Sequence, residues 1–134
     1  MTMPTRDYQS ASEMMDKKMI YIDGLATAKE AVETMRRENV DALIVKKRTD
    51  KDAFGIVTIR DLINGVVIPD RTSLEVNVFE IMVKPTITIP HDMDVRYVAR
   101  LFIRLDIWEA PVEQDGKLIG MISLSKIIMN NVLF

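Results

Sequence analysis

The chain has 134 residues, 48% hydrophobic and 28% charged, the composition of a soluble globular protein large enough to bury a core of its own. Its 18 basic and 20 acidic residues leave a net charge of −2, which offers no electrostatic grip on nucleic acid or an anionic membrane. Cysteine is absent, which excludes disulfides, thiol catalysis and zinc–cysteine sites, and no apolar run is long enough to span a bilayer.

Residues 1–10 are polar and lack an apolar signal core, so a cytoplasmic location is expected. Glu13-Met14-Met15 then leads, past Lys17 and Lys18, into a β-branched run, Ile20-Tyr21-Ile22, closed by a turn at Asp23-Gly24. Thr27 with Glu30 three residues on reads as a capping box, opening a helix with Ala28, Ala31, Val32 and Met35 on one face. Ala42-Leu43-Ile44-Val45 is the next strand, followed by a charged loop over residues 46–53 and a returning strand, Phe54-Gly55-Ile56-Val57. A second helix opens at Thr58, and Pro69-Asp70 turns the chain through a linking segment.

The same order then repeats. Glu80-Ile81-Met82 precedes Thr86-Ile87-Thr88-Ile89, the turn Pro90-His91-Asp92, and a helix from Asp94 with Val95, Val98, Ala99, Phe102 and Leu105 on its apolar face. Ala110-Pro111-Val112 is the next strand, Asp115-Gly116 a two-residue hairpin turn, Leu118-Ile119-Gly120-Met121-Ile122 the returning strand, and Ser123 the start of a last helix. Met15 and Met82, Ile20 and Ile87, and Val40 and Ile107 each stand 67 apart, whereas Gly55 and Gly120 stand 65 apart, the difference being absorbed in the longer first loop.

A strand–helix–strand order implies a parallel pair with a right-handed crossover. One copy leaves a three-stranded sheet with an uncovered face. The expected fold is therefore mixed α/β (α+β), with two β-α-β-β-α repeats packed sheet to sheet in pseudo-twofold symmetry. Its expected segments are an extension at 1–11, a first repeat at 12–66, a linker at 67–77 and a second repeat at 78–134. Leu62, Ile63, Ile127, Ile128 and Val132 leave apolar surface on the outer helices, which a second copy in a twofold dimer would bury.

This doubled order resembles a pair of CBS (cystathionine-β-synthase) domains, the adenosine-sensing Bateman module. The matching residues are Val78-Phe79-Glu80-Ile81-Met82, Ile107-Trp108-Glu109-Ala110-Pro111-Val112, and the two segments Gly55-Ile56-Val57-Thr58-Ile59-Arg60-Asp61 and Gly120-Met121-Ile122-Ser123-Leu124-Ser125-Lys126. The resemblance implies a non-catalytic regulatory module that holds AMP, ADP, ATP or S-adenosylmethionine between the repeats and signals to an effector protein encoded elsewhere. It places ribose hydroxyls on Asp61, a phosphate near Thr58 and within reach of Arg60, and adenine beside Ile20 and Ala42. A carboxylate accepts two hydroxyls at once, and a helix start favours an anion. Thr58 and Asp61 also read as a plain helix cap, a role compatible with ligand binding. The second copy keeps a hydroxyl at Ser123 but has Lys126 in place of the acid, so one competent and one defective or repurposed site are expected. The competing expectation is a structural dimerisation unit with vestigial sites.

No acid–base or nucleophilic constellation appears, so an enzyme is not expected. His91, Asp92 and Asp94 are the one compact group of possible metal ligands, but they lie in a turn that also caps a helix, and no metal is expected. Lys46-Lys47-Arg48 reads as part of a solvated loop of mixed charge; Arg96, Arg100 and Arg104 read as the wet side of a helix, or else as a row that pairs with a partner's acids or reaches phosphates; and Trp108 reads as core, or, if part-exposed, as an anchor for a subunit contact.

Overall fold

The computed structural model describes residues 8–131 and 134, so Val132, expected on an outer helix, lies outside the described residues. The chain divides into two compact units that do not follow the repeat boundaries. One runs from Met19 to Thr86; the other joins the residues up to Lys18 to those from Ile87 onward. They are called here the first-repeat and second-repeat units. The first helix, α1 (Ala11–Met14), belongs to the second-repeat unit.

In the first-repeat unit, β1 (Tyr21–Ile22) pairs parallel with β2 (Ala42–Val45), and β3 (Gly55–Thr58) returns antiparallel to β2. The crossover is α2 (Ala28–Glu38). Thr27 Oγ1 accepts from the Glu30 N–H at 3.1 Å, the one half of the predicted capping box that forms, and Asn39 ends the helix in the left-handed region at φ 54°. Ala28, Ala31 and Met35 are buried against Leu43, Val45 and Val57, as a 3.6-residue apolar period on one side and a sheet face on the other require. The chain continues from β3 into α3 (Ile59–Leu62) and a π-helical turn, Ile63–Val67. The linker is part of this unit's core: Val76 is fully buried and its carbonyl accepts from the Ala28 N–H at 2.7 Å. Asn77 then caps α4 (Val78–Ile81).

The second-repeat unit repeats the plan with β4 (Ile89–Pro90) parallel to β5 (Glu109–Gln114) and β6 (Lys117–Ser123) antiparallel to β5. Asp115 and Gly116 both have positive φ, 52° and 79°, the geometry that an Asp-Gly hairpin turn prefers. Asp94 caps α5 (Val95–Leu105), and α6 (Leu124–Met129) closes the unit. Val95, Val98 and Phe102 of α5 are buried with Ile89, Val112 and Ile122.

Several expectations are corrected. The strand anticipated over residues 86–89 reduces to Ile89 with Pro90, because Thr86 is held in the other unit by donating its N–H to the Phe54 carbonyl. Leu105 is exposed, lying at the last turn of α5, whereas Leu62 and Ile127, expected on the surface, are core. Residues 9–11, assigned to an extension, are built into the second-repeat unit. Gln9 is buried and accepts from the Val95 N–H at 2.8 Å, while Ser10 forms a capping box with Glu13.

The lead-in before each repeat therefore packs on the hairpin of the other repeat. Asp16 and Met121 exchange two backbone hydrogen bonds of 2.8 Å, and Val83 and Ile56 exchange two of 2.9 Å. Each bridge covers the outer edge of a hairpin strand, β6 or β3, whose N–H and C=O groups lack a strand on that side. Glycine beside each bridge permits the approach. A Cβ on Gly120 would lie 2.5 Å from Met15 Sδ and 2.7 Å from the Asp16 carbonyl, and one on Gly55 would lie 3.1 Å from Met82 Sδ and 3.2 Å from the Val83 carbonyl. Met15 and Met82, equivalent in the repeat, are thus packing residues.

Gly120→Ala should lower stability by about 1–3 kcal/mol, since the obstructing Asp16 carbonyl is backbone and cannot swing away. Gly24→Ala, whose Cβ would meet nothing closer than 3.6 Å, should stay within about 0.5 kcal/mol of the parent. Urea unfolding of both variants checks the pair.

Candidate functional site

In the first-repeat unit the predicted residues gather at one end of the sheet. Ala42 and Thr58 are opposite partners across β2 and β3, and the Ile20 carbonyl accepts from Ile44 at 2.9 Å, holding Ile20 beside the start of β2. Asp61 lies one turn into α3. Its Oδ2 accepts from both the N–H (2.8 Å) and the hydroxyl (3.0 Å) of Thr58, and its own N–H donates to Thr58 Oγ1 at 3.3 Å. The helix-cap reading is thus realised as a full capping box. Arg60, between them in sequence, is exposed. The helix start is less open to an anion than expected, because the Ile59 N–H donates to the Asp41 carbonyl at 3.2 Å and the Asp61 N–H is in the cap.

The second-repeat unit has a different counterpart. Glu109 stands opposite Ser123, as Ala42 does opposite Thr58. Ser123 Oγ accepts from the Lys126 N–H at 3.1 Å, so the cap survives. The Lys126 ammonium, however, lies 3.7 Å from an Asp16 carboxylate oxygen, drawn toward the exchanged lead-in. Trp108, read from the sequence as core, is 59% exposed. The chain reverses through the left-handed Asp106 and enters β5 only at Glu109, which leaves Trp108 outside the sheet with its carbonyl bound to the Leu124 N–H.

Among the remaining sequence candidates, Asp94 and His91 make contacts that hold the fold. Asp94 caps α5 through the Arg96 N–H and pairs with the Arg96 guanidinium at 2.9 Å, which raises the Arg96 pKa. The His91 N–H donates to the Glu113 carbonyl. Arg96, Arg100 and Arg104 all lie exposed on α5, with Arg100 5.5 Å from the Tyr97 ring centre.

A second cluster, unread in the sequence, sits at the opposite end of the first-repeat sheet. The loop after β2 and the lead-in after α4 meet there around an open cavity of about 600 Å³. Asp52 accepts from the Lys84 ammonium at 2.5 Å and from the Arg48 N–H at 2.9 Å. The Lys84 ammonium, with the Arg48 N–H next, holds the Asp52 carboxyl well below the usual carboxylate range. The basic triplet Lys46-Lys47-Arg48 was visible as a charge run. Its relation to Lys84 was not, because the two segments meet only through the chain's return along α4.

The sequence pattern of the CBS domain matches residues 11–68 and 78–131. The chain belongs to the CBS-domain family. It is 31% identical over 120 residues to an uncharacterised protein of Methanopyrus kandleri, which covers 89% of this chain and 61% of that one. It is also 31% identical over 105 residues to the mitochondrial CBS domain-containing protein CBSX3 of Arabidopsis thaliana, covering 76% of this chain and 51% of that one. The chain thus spans less than two thirds of the length of either relative. In structure it is similar to a hexameric CBS-CP12 protein from bloom-forming cyanobacteria, with a TM-score of 0.89 and 36% identity over 93% of this chain and 72% of that one. A conserved protein from Pyrococcus horikoshii shares the fold at a TM-score of 0.82 and 24% identity, over 92% of each chain. CBS-domain pairs of this kind are generally regulatory modules. No helix among the described residues is long and apolar enough to cross a membrane.

The Asp52 contacts set a pH dependence. Because its folded pKa is depressed, their contribution is present above the ordinary value of 3.8 and is lost as the pH falls below it. Denaturant unfolding from about pH 5 to about pH 2.5 should show Asp52→Asn losing less stability than the parent over that interval. Equal slopes would show that the pair is uncoupled from folding.

Proposed function

We propose that this CBS-domain chain is a regulatory module that binds an adenosine-type ligand (AMP, ADP, ATP or S-adenosylmethionine) at the Thr58–Asp61 end of the first-repeat sheet. It catalyses no reaction and signals to a partner protein. The observation that carries this reading is the gathering of Ile20, Ala42, Thr58 and Asp61 at one end of that sheet. The capping box uses Asp61 Oδ2, and Oδ1 of the same carboxylate remains to accept ribose hydroxyls, so cap and ligand site coexist. Arg60 supplies a planar guanidinium for a phosphate, and Ile20 and Ala42 supply apolar contact for adenine. The ligand acts by differential affinity: it favours the arrangement of the module it binds better, and the partner reads the shift.

A second reading, a structural association module with vestigial sites, is favoured by one observation. Lys126 replaces the acid in the second repeat and is engaged with Asp16. Self-association belongs to both readings. Ile59, Ile63 and Val67, spaced four residues apart on α3 and the π-helical turn, are exposed, as are Ile128 and Met129 of α6. Apolar rows of this kind are covered by a second copy in many soluble proteins, and the cyanobacterial CBS-CP12 relative is hexameric.

Asp61→Asn keeps an oxygen for the cap but loses a charged acceptor worth about 1.5–3 kcal/mol, so affinity for adenosine nucleotides should fall roughly tenfold to hundredfold. Lys126→Ala should leave that affinity within about threefold. Titration calorimetry compares them, and a silent parent protein across all four ligands would remove the sensor reading.

Light scattering coupled to gel filtration should give a mass above 15.3 kDa at micromolar concentration. Ile63→Glu with Val67→Glu, which charges the exposed row, should shift it to the monomer. A monomeric parent would sink both the association reading and the dimeric form of the sensor.

A further inference from the structure

The cavity at the far end of the first-repeat sheet has the chemistry of a ligand site. It opens at the carboxyl ends of the parallel strands β1 and β2, the end at which open α/β sheets hold ligands. Val45, Phe79, Met82 and Leu25 give it apolar lining, with Phe79 half-exposed and Leu25 largely exposed. Lys46, Lys47 and Arg48, in succession along the chain, line it as well.

The charges there are unevenly compensated. Lys84 is held by Asp52, and the Arg48 guanidinium lies a further 3.6 Å from the same carboxylate, which is already bound. Lys47 rests its ammonium 4.8 Å from the centre of the Phe54 ring, a contact that orients a cation without neutralising it. Asp23, the one acid in the lining, has its Oδ1 turned back on the Leu25 N–H at 2.8 Å. The start of α2 adds no anion site. Its first N–H groups donate to the Val76 and Ser73 carbonyls and to Thr27 Oγ1. The α2 start is therefore closed to an anion, and the lining cations are the groups suited to hold one.

The cavity, at about 600 Å³, falls within the usual range of small-molecule sites and is far too large for inorganic phosphate alone. The apolar lining suits a flat ring, and the lining cations suit a phosphate. We propose that this cavity is a second ligand site, taking small aromatic phosphomonoesters, with the ring against Phe79 and Met82 and the phosphate against Lys46, Lys47 and Arg48. The proposal is independent of the Thr58–Asp61 reading, which concerns the opposite end of the sheet.

Pyridoxal 5′-phosphate is a suitable probe, being an aromatic phosphomonoester that reports lysines directly. Its aldehyde condenses with an ε-amine to an imine, releasing water, and borohydride hydride reduces the C=N bond to a stable secondary amine. With limiting probe on the full chain, peptide mass mapping should find Lys46 or Lys47 labelled at least about tenfold more than the exposed Lys17, Lys29 and Lys117. Pyridoxal without the phosphate should lose that preference. Arg48→Ala should weaken equilibrium binding of the phosphorylated probe about threefold to tenfold, and Phe79→Ala, a half-exposed position that tolerates truncation, should do the same. Asp61→Asn should leave labelling within about twofold while weakening adenosine binding, so the two sites fail separately. Even labelling of surface lysines, equal labelling by pyridoxal, or unchanged affinity in both Arg48→Ala and Phe79→Ala would overturn the proposal.

Discussion

Two pairs of backbone hydrogen bonds organise this molecule. The Asp16–Met121 and Val83–Ile56 bridges tie each repeat's lead-in to the other repeat's hairpin. A three-stranded sheet ending in a hairpin leaves one strand edge unpaired, and an open edge is both unsatisfied and prone to unwanted association. The lead-ins close those edges from a distance in sequence. The second-repeat unit is therefore built from two separate stretches of chain, and the first-repeat unit, though continuous, does not end at the repeat boundaries. The glycines at 55 and 120 follow from the same constraint: side chains there would collide with the methionine and the carbonyl that each bridge brings in.

The same hairpins lead directly into the helix caps at Thr58 and Ser123. Thr58 and Ser123 each end a hairpin strand and begin a helix, and each hydroxyl accepts an N–H three residues on. The cap is thus a structural requirement met in both repeats, whereas the acid at the third position is present only in the first. In the second repeat, Lys126 keeps the backbone geometry and places a cation beside Asp16 on the exchanged lead-in. The repeats have diverged in charge at the site while preserving the hydrogen bonds that build it.

The two ends of the first-repeat sheet differ in kind. The Thr58 end is built by local sequence, a strand running straight into a helix, and its polar groups are tightly internally bonded. The other end is assembled from the loop after β1, the loop after β2 and the returning lead-in, and it combines apolar lining with cations whose neutralisation is incomplete. Both ends rest on the short strands β1 and β2.

The sequence by itself determined the doubled β-α-β-β-α order, most of the apolar faces of α2 and α5, the Asp115-Gly116 turn and the Thr58–Asp61 cap. All of these depend on residues within a few positions of one another, where periodicity, turn chemistry and capping are decisive. It could not reveal that residues 9–16 belong with the second repeat, that Val76 in the supposed linker is core, or that Thr86 leaves its strand to bond Phe54. It also misjudged Leu105, and of its two readings of Trp108 it favoured the core, because apolar character suits a core that these positions, at a helix end and a chain reversal, do not reach. The basic cavity was hidden for the same reason. Lys84 and Asp52 meet across 32 residues, and no local pattern encodes a contact whose geometry is set by where a distant segment docks. Short-range hydrogen bonding wrote the elements into the sequence; the closure of two open sheet edges, a purely tertiary demand, decided which elements share a unit.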